Sequence, residues 1–156
     1  MKINIASNEV VHFIGIGGIG MSGLAQIMNN MGFSIQGSDL NRNKNTERLT
    51  KLGIKVYFRH HQKNLKKATM IVISSAVKKN NKELKAARLK RLPVFKRGEM
   101  LASIVALKKN IVVAGSHGKT TTTSLVSGIF AKTKLDPTII NGGVLNSFNN
   151  SAKLGK

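Results

Sequence analysis

The feature that most constrains this chain is a pattern that occurs twice: a short apolar run, a glycine-rich loop, then a helix-forming stretch. The first copy runs from Val10-Val11-His12-Phe13-Ile14 into Gly15-Ile16-Gly17-Gly18-Ile19-Gly20, followed by a helical stretch from about Met21 to Met31 that Gly32 closes. The second runs from Ile111 to Ala114 into Gly115-Ser116-His117-Gly118, followed by a helical stretch from Lys119 to Lys132. Strand, tight turn and helix in that order belong to helix-covered parallel sheets, where the turn delivers a helix N-terminus to the carboxyl end of a strand.

The rest of the chain fits that fold class, an α/β architecture with a Rossmann-like parallel sheet. Further strands are expected at Phe33–Ser38, Ile54–Tyr57, Met70–Ser74 and Pro93–Phe95, and one begins at Thr138-Ile139-Ile140. Helices are expected at Thr46–Leu52, Lys82–Arg91 and Gly98–Leu107. The run MIVIS is apolar throughout, as an interior parallel strand should be. The polar stretch Lys108-Lys109-Asn110 divides the chain into two units, 1–108 and 109–156. The first has about five strands and can close a domain. The second has too few elements to cover both faces of a sheet, so it reads as the truncated start of a P-loop domain.

Each loop has its own chemistry. The first fits G-x-G-x-x-G, in which small residues let backbone amides approach a diphosphate while the helix N-terminus adds a positive dipole end. Asp39 ends the next strand, where dinucleotide folds place an acceptor for ribose hydroxyls. In the second loop Gly118-Lys119-Thr120 is the phosphate-gripping end of a P-loop: amides cradle phosphate, the lysine meets β/γ oxygens and the hydroxyl reaches Mg²⁺. A strict Walker pattern would need glycine where Val113 stands, so the loop is a shortened variant. His117 either contacts phosphate or shapes the turn. A dehydrogenase needs only the first loop and a simple NTPase only the second. Both together suggest a nucleotide-linked substrate handled beside ATP.

Composition narrows the field. The chain has no cysteine, which removes disulfides, thiolate metal sites and cysteine nucleophiles. No run approaches the roughly 20 apolar residues of a membrane span, and the start does not read as a signal peptide, so the cytoplasm is the expected compartment. The net charge is +20, yet the lysines are scattered without interleaved aromatics. The charge is therefore assigned to a solvated surface, not to nucleic-acid binding. His60-His61 lacks a third ligand for zinc. His12 reads as a core or strand-end histidine, Met21, Met28 and Met31 as core-facing, and Glu99 as a helix-capping or orienting acid.

Taken in order, HFIGIGGIGMSGLA at 12–25, GSDL at 37–40, VYFRHH at 56–61, SSAV at 74–77, VFKRGEML at 94–101, AGSHGKTTTT at 114–123 and DPTIINGG at 136–143 resemble the Mur ligase family. The resemblance is to the member type that adds L-alanine to UDP-N-acetylmuramate through an acyl phosphate. It implies ATP and Mg²⁺ as cofactors, with both substrates as small-molecule partners. It places Gly15, Gly17, Gly18 and Gly20 near the diphosphate and Ser38 and Asp39 near the nucleoside, with His60, Ser74, Ser75 and Arg97 lining the same side. Gly115, Ser116, His117, Gly118, Lys119, Thr120 and Thr121 would hold ATP, with Lys119 and Thr120 catalytic and Thr120 on Mg²⁺. Asn141, Gly142 and Gly143 would approach the substrate at the domain junction. Ser116 stands where the family commonly has threonine, a change that keeps the hydroxyl. The family's later carboxylates, adenine pocket and amino-acid domain have no counterpart here, so the chain reads as an N-terminal part, inactive alone. A recycling ligase acting on a preformed peptide is the sister reading. An NAD-binding oxidoreductase leaves the GKTTTT loop unexplained.

Overall fold

The computed structural model describes residues 9–107, 109–145, 150–153 and 155, without the side chains of 142–145 and 150–153. Its centre is a five-stranded sheet in the order β3-β2-β1-β4-β5, built from β1 (Val10–Ile14), β2 (Ser34–Ser38), β3 (Lys55–Tyr57), β4 (Met70–Ile73) and β5 (Val94–Lys96). Every neighbouring pair is parallel. The order reverses beside β1: the chain runs outward to β2 and β3, then returns to place β4 on the other flank. A doubly wound sheet opens a crevice at that point, beyond the carboxyl ends of β1 and β4.

Side-chain alternation along the strands sets the two faces. Val11 and Phe13 look toward α1 (Ile19–Asn30), where they meet Leu24, Ile27 and Met28; Met100 and Ile104 of α4 (Arg97–Val105) join the same core. Ile14 and Ile71 face the other way, toward α3 (Lys82–Leu89) and the 3₁₀ turn Gln62–Leu65, where they meet Leu84 and Leu65. Met21 and Met28 are buried as expected, and Met31 packs at the margin. The helix α2 (Lys44–Lys51) opens with a reciprocal cap between Asn43 and Thr46 and contributes Leu49 to the first core. In α1 the chain stops at Gly32 (φ +90°): the Phe33 amide donates to the Met28 carbonyl and that of Gly32 to Asn29, a left-handed helix stop.

The second unit departs from expectation. Ile111–Ala114 forms no strand, and Ile111 and Val112 are 67% and 73% exposed. An apolar run becomes a strand only where a neighbour completes its hydrogen-bond ladder, and among the described residues none does. The helix α5 (Lys119–Ala131) forms, but it buries only Ser127 and leaves Leu125 and Ile129 in solvent. The strand expected from Thr138 is β6 (Ile139–Leu145), which pairs antiparallel with β7 (Asn150–Lys153). β7 and the 3₁₀ turn carry no apolar periodicity and were not legible in the sequence. Among the described residues no helix is long and apolar enough to cross a membrane.

One close approach holds the sheet against the first loop. A β-carbon at Gly37 of β2 would lie 2.6 Å from Ile16 Cδ1 and 2.7 Å from the Phe13 carbonyl oxygen. Backbone cannot yield there as a side chain can. Gly37→Ala should cost about 1–3 kcal/mol of unfolding free energy, the usual range for overpacking, read from urea midpoints at unchanged slope.

Candidate functional site

Parallel pairing brings the strand ends to one edge, and most of the candidate residues stand there. Gly15–Gly20 follow β1, Ser38 closes β2, Asp39 follows it, His60 lies just past β3, Ser74 and Ser75 follow β4, and Arg97 follows β5. Gly15 (φ +82°) would bring a β-carbon within 3.2 Å of Ser74 Cβ, so the ends of β1 and β4 touch at the crevice.

The loop is tied down mainly through its own backbone. Amides of Gly15 and Ile16 donate to the Ser38 carbonyl at 2.8 and 3.0 Å. The Gly17 amide donates to Asp39 Oδ2 at 2.8 Å, while Asp39 Oδ1 accepts from Leu40 and Asn41. Asn45 and Asn43 donate to the Gly17 carbonyl at 2.8 and 3.3 Å. This amends the expected role of Gly17: its amide is turned inward and taken by Asp39, so it is not offered to an anion. The donors available at this end are further along. α1 starts without a side-chain cap, and no acceptor among the described residues takes the amides of Gly20 and Met21. Helix starts leave such donors exposed, with the positive end of the dipole behind them. The guanidinium of Arg97 lies over Gly20, 3.2 Å from where a β-carbon would stand. Gly20 and Arg97 share a cavity of about 240 Å³ with Gly23, Leu24, Leu101, Ile140 and Asn141. Glu99 caps α4, accepting from the Lys96 amide at 2.7 Å.

In the second loop, Gly118 takes a left-handed conformation (φ +74°) that turns the chain into α5. The Lys119 ammonium folds back on the carbonyls of Gly115 and Ser116, at 3.0 Å for Ser116. Residues 115–121 are exposed. The donor set fits the phosphate end of a nucleotide: a helix start without a side-chain cap, an ammonium and a run of hydroxyls. It fits Mg²⁺ through the hydroxyl of Thr120. Among the described residues no group of three His, Asp or Glu side chains could hold a metal. Asn141 is buried, lines that cavity and donates to the Thr120 carbonyl in the first turn of α5 at 3.4 Å. Of Gly142 and Gly143 the structure describes the backbone path alone, which runs in β6.

A buried polar cluster behind this edge was missed in the sequence. Glu83, in the first turn of α3, is fully buried. It accepts from the Ser38 hydroxyl, from His60 Nδ1 at 3.0 Å and from Asn64 Nδ2 at 2.6 Å. His12, also fully buried, points Nε2 at Glu83 Oε1 from 3.4 Å, a close polar contact without hydrogen-bond geometry. Gln36 Nε2 donates to the Asn64 carbonyl at 2.8 Å and reaches His12 Nδ1 at 3.1 Å. That carbonyl can only accept, so the amide orientation is fixed, His12 Nδ1 accepts, and its ring proton sits on Nε2. A signal was present: His12 and Gln36 are polar positions inside strands, paired in register, and need a buried partner.

Burial raises the proton affinity of Glu83, but the contacts with His12, Ser38 and Asn64 outweigh it and hold the carboxyl below its ordinary value of 4.5. A depressed folded pKa contributes stability above the unfolded value and loses it as pH falls through the folded one. Glu83→Gln should therefore narrow its stability gap to the parent as pH drops below about 4, measured by urea unfolding at pH 7 and pH 3. Glu83→Ala, which strands several buried donors, should cost about 3 kcal/mol or more at pH 7.

The profile described as "Mur ligase family, catalytic domain" matches residues 10–109. A UDP-N-acetylmuramate–L-alanine ligase of Pelagibacter ubique is 69% identical over 156 residues, all of this chain and 34% of that protein. One of Paramagnetospirillum magneticum is 50% identical over 155 residues, 99% of this chain and 32% of its own length. Among solved structures, the UDP-N-acetylmuramate-alanine ligase of Thermotoga maritima superposes with a TM-score of 0.85 at 32% identity, covering 93% of this chain and 34% of that one. The UDP-N-acetylmuramate:L-alanyl-gamma-D-glutamyl-meso-diaminopimelate ligase of Neisseria meningitides gives 0.87 at 33% identity, covering 95% of this chain and 47% of the other. The chain thus spans about a third of the length of the curated relatives it matches.

Proposed function

Since this chain belongs to the Mur ligase family, we propose that it is the nucleotide-sugar-binding part of a cytoplasmic ATP-dependent ligase that joins L-alanine to UDP-N-acetylmuramate. In this reading residues 1–108 hold the UDP end of the substrate and 109–156 open the ATP-binding unit. The observation that carries it is the cavity where Gly20, Arg97 and Asn141 meet, with Asn141 bonded to the second loop. One wall carries Gly20 and the Arg97 guanidinium for a diphosphate; the other carries Asn141, whose amide reaches the Thr120 carbonyl at the start of α5. Curated L-alanine-adding ligases at 69% and 50% identity over essentially the whole chain favour that member, while the solved ligases of the two kinds, at 32% and 33%, do not separate them.

Each group has a stated task. The amides of Gly20 and Met21 and the Arg97 guanidinium bind diphosphate oxygens; Asp39 sets the loop and keeps lone pairs for ribose hydroxyls; Ser74 and Ser75 flank the crevice. Lys119, released from the loop carbonyls, binds β/γ oxygens, and the Thr120 and Thr121 hydroxyls complete the phosphate end. Bound ATP and Mg²⁺ would supply the activating phosphoryl group and its charge neutralisation. Residues that complete the metal site and receive the amino acid belong to the part of the relatives that this chain does not span.

Isothermal titration should show UDP-N-acetylmuramate binding to the folded chain. The Gly17→Asp, Gly18→Asp pair should abolish it: a β-carbon at 17 falls 2.9 Å from Asn43, Asp39 and Thr46 side-chain atoms, and the added charges repel the diphosphate. Absence of heat from a folded sample would refute the assignment. The chain alone should form no ADP when ATP, L-alanine and the nucleotide sugar are all present. Steady turnover in a coupled ADP assay would instead make these residues a complete enzyme.

A further inference from the structure

We propose that Glu83 is a positioning residue for the nucleoside end of the substrate, holding His60 with its proton on Nδ1 so that Nε2 faces the cleft as a hydrogen-bond acceptor. The proposal rests on the nucleotide-sugar reading above and adds to it a residue and a direction of recognition.

The proton count around His60 closes. Nδ1 lies 2.9 Å from Ser38 Oγ and 3.0 Å from Glu83 Oε2. The Ser38 hydroxyl has one proton and gives it to Glu83, so it cannot also donate to the ring. A carboxylate only accepts. Both neighbours of Nδ1 are therefore acceptors, and the ring nitrogen must carry the hydrogen. The neutral ring then has its lone pair on Nε2, at the opposite edge, and the side chain is 15% exposed. A second histidine supports the carboxylate from behind. His12 turns its Nε2–H toward Oε1 because Gln36 occupies its other nitrogen. Among the described residues no lysine or arginine forms an ion pair with Glu83, so the contacts with Ser38, His60, Asn64 and His12 offset its desolvation.

Ser38 connects this cluster to the loop. Its side chain belongs to Glu83, while its carbonyl accepts the amides of Gly15 and Ile16. One residue thus joins the buried acid to the start of the glycine turn, and α3 steadies a site it does not line. His60 itself follows β3, the outer strand, two strands away from the crevice beside β1. β3 and β5 end on opposite flanks of the edge, so in the nucleotide-sugar reading His60 stands on the nucleoside flank and Arg97 on the other. An acceptor there suits a donor on the nucleoside, a ribose hydroxyl or the pyrimidine imide N–H, and does not suit a phosphate oxygen.

The first measurement needs neither ligand nor variant. Nitrogen-15 and carbon-13 NMR of His60 in the parent chain at pH 8 should show the Nδ1–H tautomer; a predominant Nε2–H ring overturns the proposal. UDP is then titrated calorimetrically into the parent, Glu83→Gln, His60→Ala and the double variant. Glu83→Gln should weaken UDP about tenfold in the parent and less than twofold when His60 is already alanine, the non-additivity of residues acting as a unit. Equal losses in both backgrounds would reduce Glu83 to packing and overturn the positioning role. With the parent, 2′-deoxy-UDP and N3-methyl-UDP identify the donor by which of them binds more weakly; unchanged affinity for both overturns the acceptor role. A folded parent that binds neither UDP nor UDP-N-acetylmuramate removes the nucleotide reading itself. Normal binding with the wrong tautomer removes only the claim about Glu83.

Discussion

The parallel pairing of β1 with β2 on one side and β4 on the other is the constraint on which the rest of the molecule depends. It aligns His12 with Gln36 and Ile71, and Ile14 with Ser38 and Ile73. Strand alternation then sends Phe13 into one core and Ile14 into the other. The same register brings successive strand ends to a single edge, so residues far apart in the chain can act on one ligand. A slip of one residue in β2 would turn Gln36 and Ser38 away from Glu83 and expose Ile35's face to the wrong layer. Core and site are therefore specified by the same ladder.

The electrostatics of that edge are divided by depth. Near the surface are positive ends: the start of α1, the Arg97 guanidinium and the Lys119 ammonium. Deeper, Asp39 and Glu83 take backbone and side-chain donors that would otherwise be unsatisfied. Neither acid forms an ion pair with a lysine or arginine among the described residues. Their work is to orient: Asp39 fixes where the glycine turn goes, and Glu83 fixes which way a serine and a histidine point. The +20 charge is compatible with this arrangement because it lies on scattered lysines whose ammonium groups reach water.

Much of the fold was legible because its signals are local. Gly15, Gly32, Gly53 and Gly118 sit at positive φ where chain direction changes, and each follows or precedes an apolar run of the right length. Boundaries moved by a residue or two, as with α3 ending at Leu89, not at Arg91. What sequence reasoning missed depends on partners. Glu83 in KELKAARL looks like an ordinary first-turn acid; only the packing of α3 over His12 buries it. Asn43 and Asn45 read as loop residues until the Gly17 carbonyl is seen beside them. Ile111–Ala114 has the composition of a strand but no neighbour to ladder with, so propensity did not become structure. Gly15–Gly20, Ser38, Asp39, His60, Ser74, Ser75 and Arg97 share one sheet edge, whereas residues 115–121 and Asn141 stand outside that sheet.

The helix α5 presents Leu125 and Ile129 to water and buries a single serine. Its packing is confined mainly to β6, with Val126 and Phe130 half-buried, and thirteen residues are marginal when little else supports them. Its amides should consequently exchange with deuterium by local fraying, far faster than those of β1 or α1, whose protection follows global opening. The turn that presents Lys119 communicates with the edge that positions Gly20 through β6, where Asn141 reaches both the shared cavity and the Thr120 carbonyl.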